Sequence, residues 1–282
     1  MATNLFRPVV APNLPVAAPQ YSAQYEDQYS NVLRLYFNQL DNFTRSLANS
    51  GGGALISFPY FSAYQNGVTT LTSGMTNVST TPISVASTAD FSSSGYLLIG
   101  SEIIQYTSTT ATTFAGTITR GVKGTTNVAH TSGDYVTEVD AVTVGTSKAM
   151  KLDTLIGYNQ ITCTVPDSKV YFTNSGNYNL QFSAQLLNFT TSDDNVTIWL
   201  KQNGTDVTAS AGIVQVPPKH GSAPGATIAS WNYVTPVTAG DYLELYWSSD
   251  SGNTVLATYP PGSSPVHPAS PSLIMSVAFV SA

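Results

Sequence analysis

The chain has 282 residues, 42% of them hydrophobic, and is long enough for one large domain or two modest ones. Only 9% of the residues are charged, against roughly 25% in an ordinary soluble protein. The net charge of −6 and only ten scattered Lys and Arg residues argue against nucleic-acid binding. We expect neither membrane insertion nor a secretory signal, because no apolar run approaches roughly 20 residues and no basic-led apolar segment opens the chain.

The single cysteine, Cys163, lies in a strand-like run and can form no intrachain disulfide. We predict that it is a buried thiol, because no neighbouring residue suggests a catalytic nucleophile.

The N-terminal 50 residues divide into an arm and a helix. Residues 1–20 contain four prolines with little apolar periodicity, so they predict an extended arm, either disordered or laid along a partner. Residues 21–50 have apolar residues at alternating spacings of four and three, and Gly51–Gly53 then ends the predicted helix. The apolar positions of this helix are Tyr29, Leu33, Tyr36, Leu40, Phe43 and Leu47.

This narrow stripe favours a self-associating, three-fold helix bundle, and the alternative is packing against the β core of the same chain. The segment 36–42 (YFNQLDN), after a Pro-rich opening, resembles the N-terminal helix of structural proteins from virions of tailed phages, particularly those of marine bacteria and cyanobacteria. The resemblance implies that the N-terminal part attaches the subunit to other virion proteins.

Residues 51–78 are interpreted as a linker or first edge strand, and 79–140 as a small all-β module with short strands at hairpin spacing. The module contains Glu102, Arg120 and His130, which a catalytic hypothesis would group together. We favour a structural interpretation, in which Arg120 and His130 satisfy loop carbonyls or Glu102 and two glycines of the 119–126 motif occupy turns.

The module resembles one found repeatedly in phage particle proteins, on a pattern of apolar, Gly and polar positions between 83 and 133. That resemblance implies a building block without an activity of its own. The stretches 58–75 and 147–152 look like two parts of one first strand region, which predicts that the module is inserted into the C-terminal domain.

Residues 141–282 predict an antiparallel sandwich. Tyr178 to Leu186 alternate apolar and polar residues, and the next alternating run ends at Asn203-Gly204, which accepts the positive φ angles of a tight hairpin turn. The final run, 273–280, is apolar on both faces and predicts a strand covered on both sides.

The C-terminal domain resembles the trimeric jelly rolls of the complement and tumour-necrosis-factor type that are used at the ends of phage appendages. The residues that carry the resemblance are 176–178 (GNY), 182–185 (FSAQ), 199–204 (WLKQNG), 239–245 (AGDYLEL) and 271–274 (PSLI). The resemblance implies a jelly-roll sandwich that trimerises around a three-fold axis. The predicted fold is therefore mainly β: an arm, one helix, a small β module and a jelly roll.

No enzyme motif is present: there is no Gly-x-Ser-x-Gly elbow, no phosphate-binding Gly-Lys-Ser/Thr loop and no His-Glu-x-x-His helix. A glycan depolymerase would need paired acids, for which Asp241 and Glu244 are candidates, but solvated surface explains them more simply. The carboxylates Asp193, Asp194 and Asp250 are interpreted as ordinary turns rather than calcium ligands. We expect no enzyme activity, no cofactor and no metal site.

Three aromatic residues that we assign to loops, Trp231, Tyr233 and Tyr259, are candidates for a sugar-binding rim together with the Pro-rich loop 260–271, because aromatic faces pack against pyranose rings. Packing at a trimer interface accounts for them equally well.

Together these patterns predict a homotrimeric phage virion structural protein, made in the bacterial host cytoplasm and displayed on the particle surface. Capsid decoration or a head fibre is favoured, because no long fibrous shaft is present. The alternatives are a tail fibre or receptor-binding protein that contacts host surface glycan or protein, and a glycan depolymerase.

Overall fold

The computed structural model describes residues 11–16, 20–48 and 58–281, without the side chains of residues 46–48. The chain divides into two compact units, Met1–Phe58 and Pro59–Ala282. Most of the predicted arm and the predicted stop at 51–53 lie outside the described residues. The predicted mainly-β fold with one helix is confirmed.

The first unit contains the helix α1 (Ala23–Ala48). The Ser22 hydroxyl accepts a hydrogen bond from the Tyr25 N–H at 3.3 Å, and Glu26 lies in the first turn. Arg45 in the last turn pairs with Asp41 at 2.8 Å. A negative charge near the start and a positive charge near the end both complement the helix dipole.

The second unit begins with nine strands. They are β1 (Tyr60–Gln65), β2 (Val68–Thr70), β3 (Ile83–Ser84), β4 (Gly95–Ile99), β5 (Glu102–Tyr106), β6 (Ser108–Thr109), β7 (Thr113–Ala115), β8 (Thr119–Val122) and β9 (Tyr135–Ala141).

The remaining strands run to the end of the described chain. They are β10 (Lys148–Ala149), β11 (Thr154–Asn159), β12 (Ile161–Thr162), β13 (Val170–Phe172), β14 (Gly176–Asn188), β15 (Asp194–Gln202), β16 (Thr205–Asp206), β17 (Gly212–Val216), β18 (Gly225–Val237), β19 (Tyr242–Ser249), β20 (Thr254–Ala257), β21 (Gly262–Ser263), β22 (Val266–His267) and β23 (Leu273–Ser281).

Eight strands form two packed sheets, one in the order β1-β23-β14-β18 and the other in the order β13-β19-β15-β17. We number these eight strands 1 to 8 in chain order: β1, β13, β14, β15, β17, β18, β19 and β23. The first sheet then has the order 1-8-3-6, and the second has the order 2-7-4-5. This is the strand order of a jelly roll. The jelly roll therefore includes β1, which precedes the 79–140 module.

The main core lies between these two sheets. Its members come from alternate positions of facing strands, as the period of two predicted: Tyr178, Leu180, Phe182, Leu186, Val196, Ile198, Leu200, Leu243, Leu245 and Trp247. The predicted hairpin turn is also confirmed, with φ angles of 52° at Asn203 and 79° at Gly204.

The last strand, β23, differs from its prediction of two covered faces. Leu273, Met275 and Val277 are buried in the core. Ile274 and Val280 are 42% and 55% exposed, because they point away from the sandwich on the outer face of the sheet. Within the described chain this strand is thus covered on one side only.

The module occupies the chain between β1 of the jelly roll and β10, a short strand that pairs with β19 of the jelly roll. The expectation that 58–75 and 147–152 form one strand region is wrong, because β1 lies beside β23 whereas β10 pairs with β19 in the other sheet. The module sheet continues the jelly-roll sheet through β20, which pairs with both β14 and β9. A second core fills the module, and a third is shared by the module and the jelly roll.

Candidate functional site

Glu102, Arg120 and His130 meet inside the β module. Arg120 donates from Nε to Oε1 of Glu102 and from Nη2 to Oε2, each at 2.6 Å. His130 Nε2 lies 2.9 Å from the same Oε2. The N–H groups of Gly121 and Val128 each donate to this carboxylate at 3.1 Å. Glu102 therefore accepts five hydrogen bonds if His130 is the donor in its pair.

This cluster is enclosed by protein. Glu102 is 0% exposed, and Arg120 also donates to the backbone oxygens of Thr76, Ser79 and Val128. Burial alone would raise the pKa of Glu102, but hydrogen bonds from Arg120 and His130 outweigh it and lower the pKa to about 2. An ionised, saturated carboxylate without solvent access offers nothing to a substrate, so the cluster fits the structural interpretation.

The 119–126 motif joins the module to the jelly roll. Gly124, with a φ angle of 80°, lies in the turn after β8, as predicted. Gly121, with a φ angle of 61°, lies within β8, where the pairing with β5 shifts register, so the prediction of a turn is wrong for it. Lys123 between them donates to the backbone oxygens of Val142 and Gly252 at 2.6 and 2.7 Å. Burial lowers the pKa of this lysine. The ammonium thus links a module turn to two loops of the sandwich.

A small cavity of about 60 Å³ is lined by carboxylates that sequence reasoning did not group together. Glu138 accepts hydrogen bonds from Gln65 at 3.2 Å and from the Ser92 hydroxyl at 2.8 Å, and Lys151 donates to the same hydroxyl. Burial, with added repulsion from Glu138, raises the pKa of Asp153 to about 6. Such grouping arises from pairing between distant strands, which leaves no local sequence signal.

The predicted depolymerase pair does not face an open groove. Asp241 is held in a turn by Asn203, Gln202 and the Thr238 N–H. Glu244 is buried and accepts a hydrogen bond of 2.6 Å from the Ser168 hydroxyl. Each acid has a local structural role, which weakens the depolymerase alternative.

Asp193 and Asp250 are exposed, but Asp194 is buried at the start of β15, so the interpretation as a solvated turn is wrong for Asp194. Burial alone would raise the pKa of Asp194, but hydrogen bonds from the Ser249 hydroxyl and the Ser251 N–H lower it. Among the described residues, no three His, Cys, Asp or Glu side chains are grouped so that they could hold a metal ion.

The three predicted rim residues are not brought together at a loop. Trp231 and Tyr233 lie on β18 and pack against Phe182, with ring centroids 4.8 and 6.2 Å away. Tyr259 packs against the separate core that the module and jelly roll share. Trp231 and Tyr233 are therefore strand residues with their rings toward the core, and the assumption that they belong to a loop is wrong.

The predicted helix stripe lies along α1 without being buried. Tyr29, Leu33, Tyr36 and Phe43 are partly exposed, and Leu40 is 37% exposed. The side chain of Leu47 lies outside the described residues. None of the helix side chains that the structure describes is buried, and Tyr29, Leu33, Tyr36 and Leu40 give this face of the helix a partly exposed apolar row.

The outer face of the β23-β14-β18 sheet also carries exposed apolar side chains, on the two strands that flank the polar outward residues of β14. Pairing places Val234, Asn179 and Ala278 in one row across the three strands. We call this the outer sheet face; its exposed branched residues are Ile228, Val234, Ile274 and Val280. The sequence signal for it was the two-sided apolar pattern of β23.

The other sheet carries an aromatic surface that sequence reasoning missed. Trp199 points outward from β15, and its indole N–H donates to Asp206 Oδ1 at 2.7 Å. Tyr246 lies beside it with ring centroids 5.9 Å apart. Two open depressions, of about 450 and 370 Å³, share Trp199 and Ser248 in their walls. A tryptophan between the inward residues Ile198 and Leu200 was the available sequence signal.

Comparison with known proteins finds no family model that matches the chain and no significantly similar curated protein. None of the helices that the structure describes is both long and apolar enough to cross a membrane.

Proposed function

We propose that this chain is a homotrimeric structural protein of a tailed-phage virion, attached through its N-terminal arm and helix and displaying its jelly roll at the particle surface. The observation that carries the proposal is a pair of surfaces with exposed apolar side chains: the α1 positions Tyr29, Leu33, Tyr36 and Leu40, and the outer sheet face. Each is the kind of surface that a protein buries by association. The N-terminal, module and jelly-roll resemblances supply the phage context.

Capsid decoration or a head fibre is the favoured placement. Within the described residues the one helix is 26 residues long, or about 39 Å at 1.5 Å per residue, and the strands of the module and jelly roll have at most 13 residues. Such dimensions suit a protein that stands on a capsid better than a long fibre. No catalytic role forms part of the proposal, since the acids that an enzyme hypothesis would use are enclosed or held in turns.

A receptor-binding role on the tail is the second candidate. It is favoured by the aromatic surface around Trp199, which lies on the sheet opposite the outer sheet face. Weak contacts there would be multiplied by three-fold symmetry and by many copies per particle.

Immunogold labelling of intact particles with an antibody to residues 168–282 tests placement, and light scattering of the purified full chain tests the assembly. Labels over the head with the mass of three chains support decoration, and deletion of residues 1–20 then strips the protein from capsids. Labels confined to the tail support the receptor-binding candidate. A monomeric mass contradicts the trimer, and absence of label from purified particles contradicts the virion assignment.

A further inference from the structure

The surface around Trp199 combines an aromatic ring with fixed polar groups. We define the Trp199 surface by Thr197, Trp199, Asp206, Val207, Ser248 and Asp250. Trp199 is partly exposed on an outward position of β15, while its neighbours Ile198 and Leu200 are fully buried. The ring therefore sits on a rigid strand.

Two contacts hold this surface in place before any ligand arrives. The hydrogen bond to Asp206 fixes the edge of the Trp199 ring. The chain after Asp206 is tied back to β15, because Ser210 Oγ accepts from the Leu200 N–H at 3.1 Å and Val207 N donates to Leu200 O at 2.9 Å. Preorganisation of this kind lowers the entropic cost of binding.

The depressions on either side of Trp199 have the volume of small-ligand sites, which span roughly 300–1,000 Å³. One is lined by hydroxyl and carboxylate groups that include Thr146, Ser147 and Asp250. The other adds the methyl groups of Val207, Ala209 and Ala211. A ligand that spans both must therefore present an apolar face to the ring and hydroxyl groups to its surroundings.

The charges define the ligand further. Asp206 and Asp250 both lie at the surface, and the nearby Lys201 Nζ is engaged by Asp206 at 3.4 Å and lies 4.5 Å from the centroid of the Tyr246 ring. Two carboxylates accept hydrogen bonds from hydroxyl groups and repel anions. A pyranose ring without acidic groups satisfies both conditions, because one of its faces is made of C–H groups and its rim of hydroxyls.

We propose that the Trp199 surface binds neutral hexopyranose units of a polysaccharide, with one ring stacked on Trp199 and its hydroxyls bonded to Asp206 and Asp250. This site is distinct from the Trp231, Tyr233 and Tyr259 rim that the sequence suggested. The proposal does not rest on the virion assignment, because the mass and labelling experiments test that assignment separately.

The test is calorimetric titration of the full chain with neutral cellohexaose, maltohexaose and N-acetylchitohexaose, and with anionic hexagalacturonate. Saturable binding of at least one neutral probe, and weaker or no binding of hexagalacturonate, is expected. Trp199→Ala should weaken that binding by about tenfold or more, since stacking on an aromatic ring is lost. Trp231→Phe, on the other sheet, should leave it unchanged.

A blocking variant keeps the test valid if Trp199→Ala folds poorly. Ser248→Lys places a long side chain in both depressions without touching the core, and should abolish binding while the melting temperature is retained. Ser94→Lys, at an exposed position before β4, is the matched control and should bind normally. Absence of binding to all three neutral probes, preference for hexagalacturonate, or binding that survives Ser248→Lys overturns the proposal.

Discussion

Arg120 and Glu102 form a bidentate ion pair. Both of its hydrogen bonds are 2.6 Å long, and the two side chains are 2% and 0% exposed. Removing one partner of a buried pair leaves an uncompensated charge. Glu102→Gln is therefore expected to lower the free energy of unfolding by about 3 kcal/mol or more, which urea denaturation measures.

Asp193→Asn makes the same charge change at an exposed carboxylate and should stay within about 0.5 kcal/mol of the wild type. If Glu102→Gln changes the free energy of unfolding no more than this control does, the cluster is not the structural centre of the module.

Acid should destabilise the protein through Glu102. The pKa of this group is about 2 in the folded chain against an ordinary value of 4.5, so the folded state favours its ionised form. The stabilisation is complete above pH 4.5 and is lost as pH falls toward 2. Unfolding free energies measured over this range should fall less steeply in Glu102→Gln than in the wild type; parallel curves would contradict the lowered pKa.

Asp153 should act in the opposite direction. Burial raises its pKa to about 6 from an ordinary value of 3.8, so the folded state binds the proton more tightly than the unfolded chain does. Its contribution to stability is present below about pH 4 and is lost as pH rises toward 6. Asp153→Asn, which keeps an oxygen acceptor for the Asn66 N–H, should remove this component from the pH profile of thermal melting.

The pH effect of Asp153 has a specific control in Asp193→Asn, which should keep the wild-type profile between pH 4 and 6. A profile of Asp153→Asn that parallels the wild type would mean that the Asp153 carboxyl is already ionised at pH 4.

The α1 stripe should determine assembly. Leu33→Lys places a charge within the stripe, and we expect it to reduce the particle mass measured by light scattering to that of a single chain. Leu35→Lys is the control, because two residues along a helix turn about 200° and Leu35 is 58% exposed. Equal masses for the two variants would show that the stripe does not hold the copies together.

Cys163 should be unreactive in the folded protein. Its thiol is buried, and burial raises its pKa to about 12, so almost no thiolate forms at neutral pH. A thiol reagent such as dithionitrobenzoate should label it only after guanidinium unfolds the chain. Rapid labelling of the native protein would show that the strand carrying it opens easily.

The sequence predicted the elements that are determined by residues close together in the chain. The alternation from Tyr178 to Leu186 and the turn at Asn203-Gly204 follow from neighbouring residues, as does the helix, whose Ala23–Ala48 bounds fall within the predicted 21–50. Strand β18 was obscured because its outward positions include Ile228 and Val234 while an inward one is Thr235. The reversed polarity hid the strand period and left Trp231 assigned to a loop.

The site residues were predicted less well. Glu102, Arg120 and His130 were grouped by module, and the structure joins them in one cluster. Trp199 was missed, since only the three-dimensional arrangement shows that Asp206 and Ser248 surround an outward ring. The link from β9 through β20 to β14 spans distant parts of the chain, so no local pattern encodes it.

The neighbouring positions of β1 and β23 govern when this protein can fold. Gln65 pairs with Leu273, and the Phe279 N–H donates to Pro59 O at 3.1 Å. The first strand of the sandwich therefore cannot complete its pairing until the last strand has been synthesised. A growing chain makes β1 long before the ribosome reaches β23, and long-range pairing of this kind is slow. The helix α1 precedes β1 in the chain and forms no strand pairs. In the proposed trimer, copies on neighbouring ribosomes would therefore meet through α1 before any jelly roll has closed.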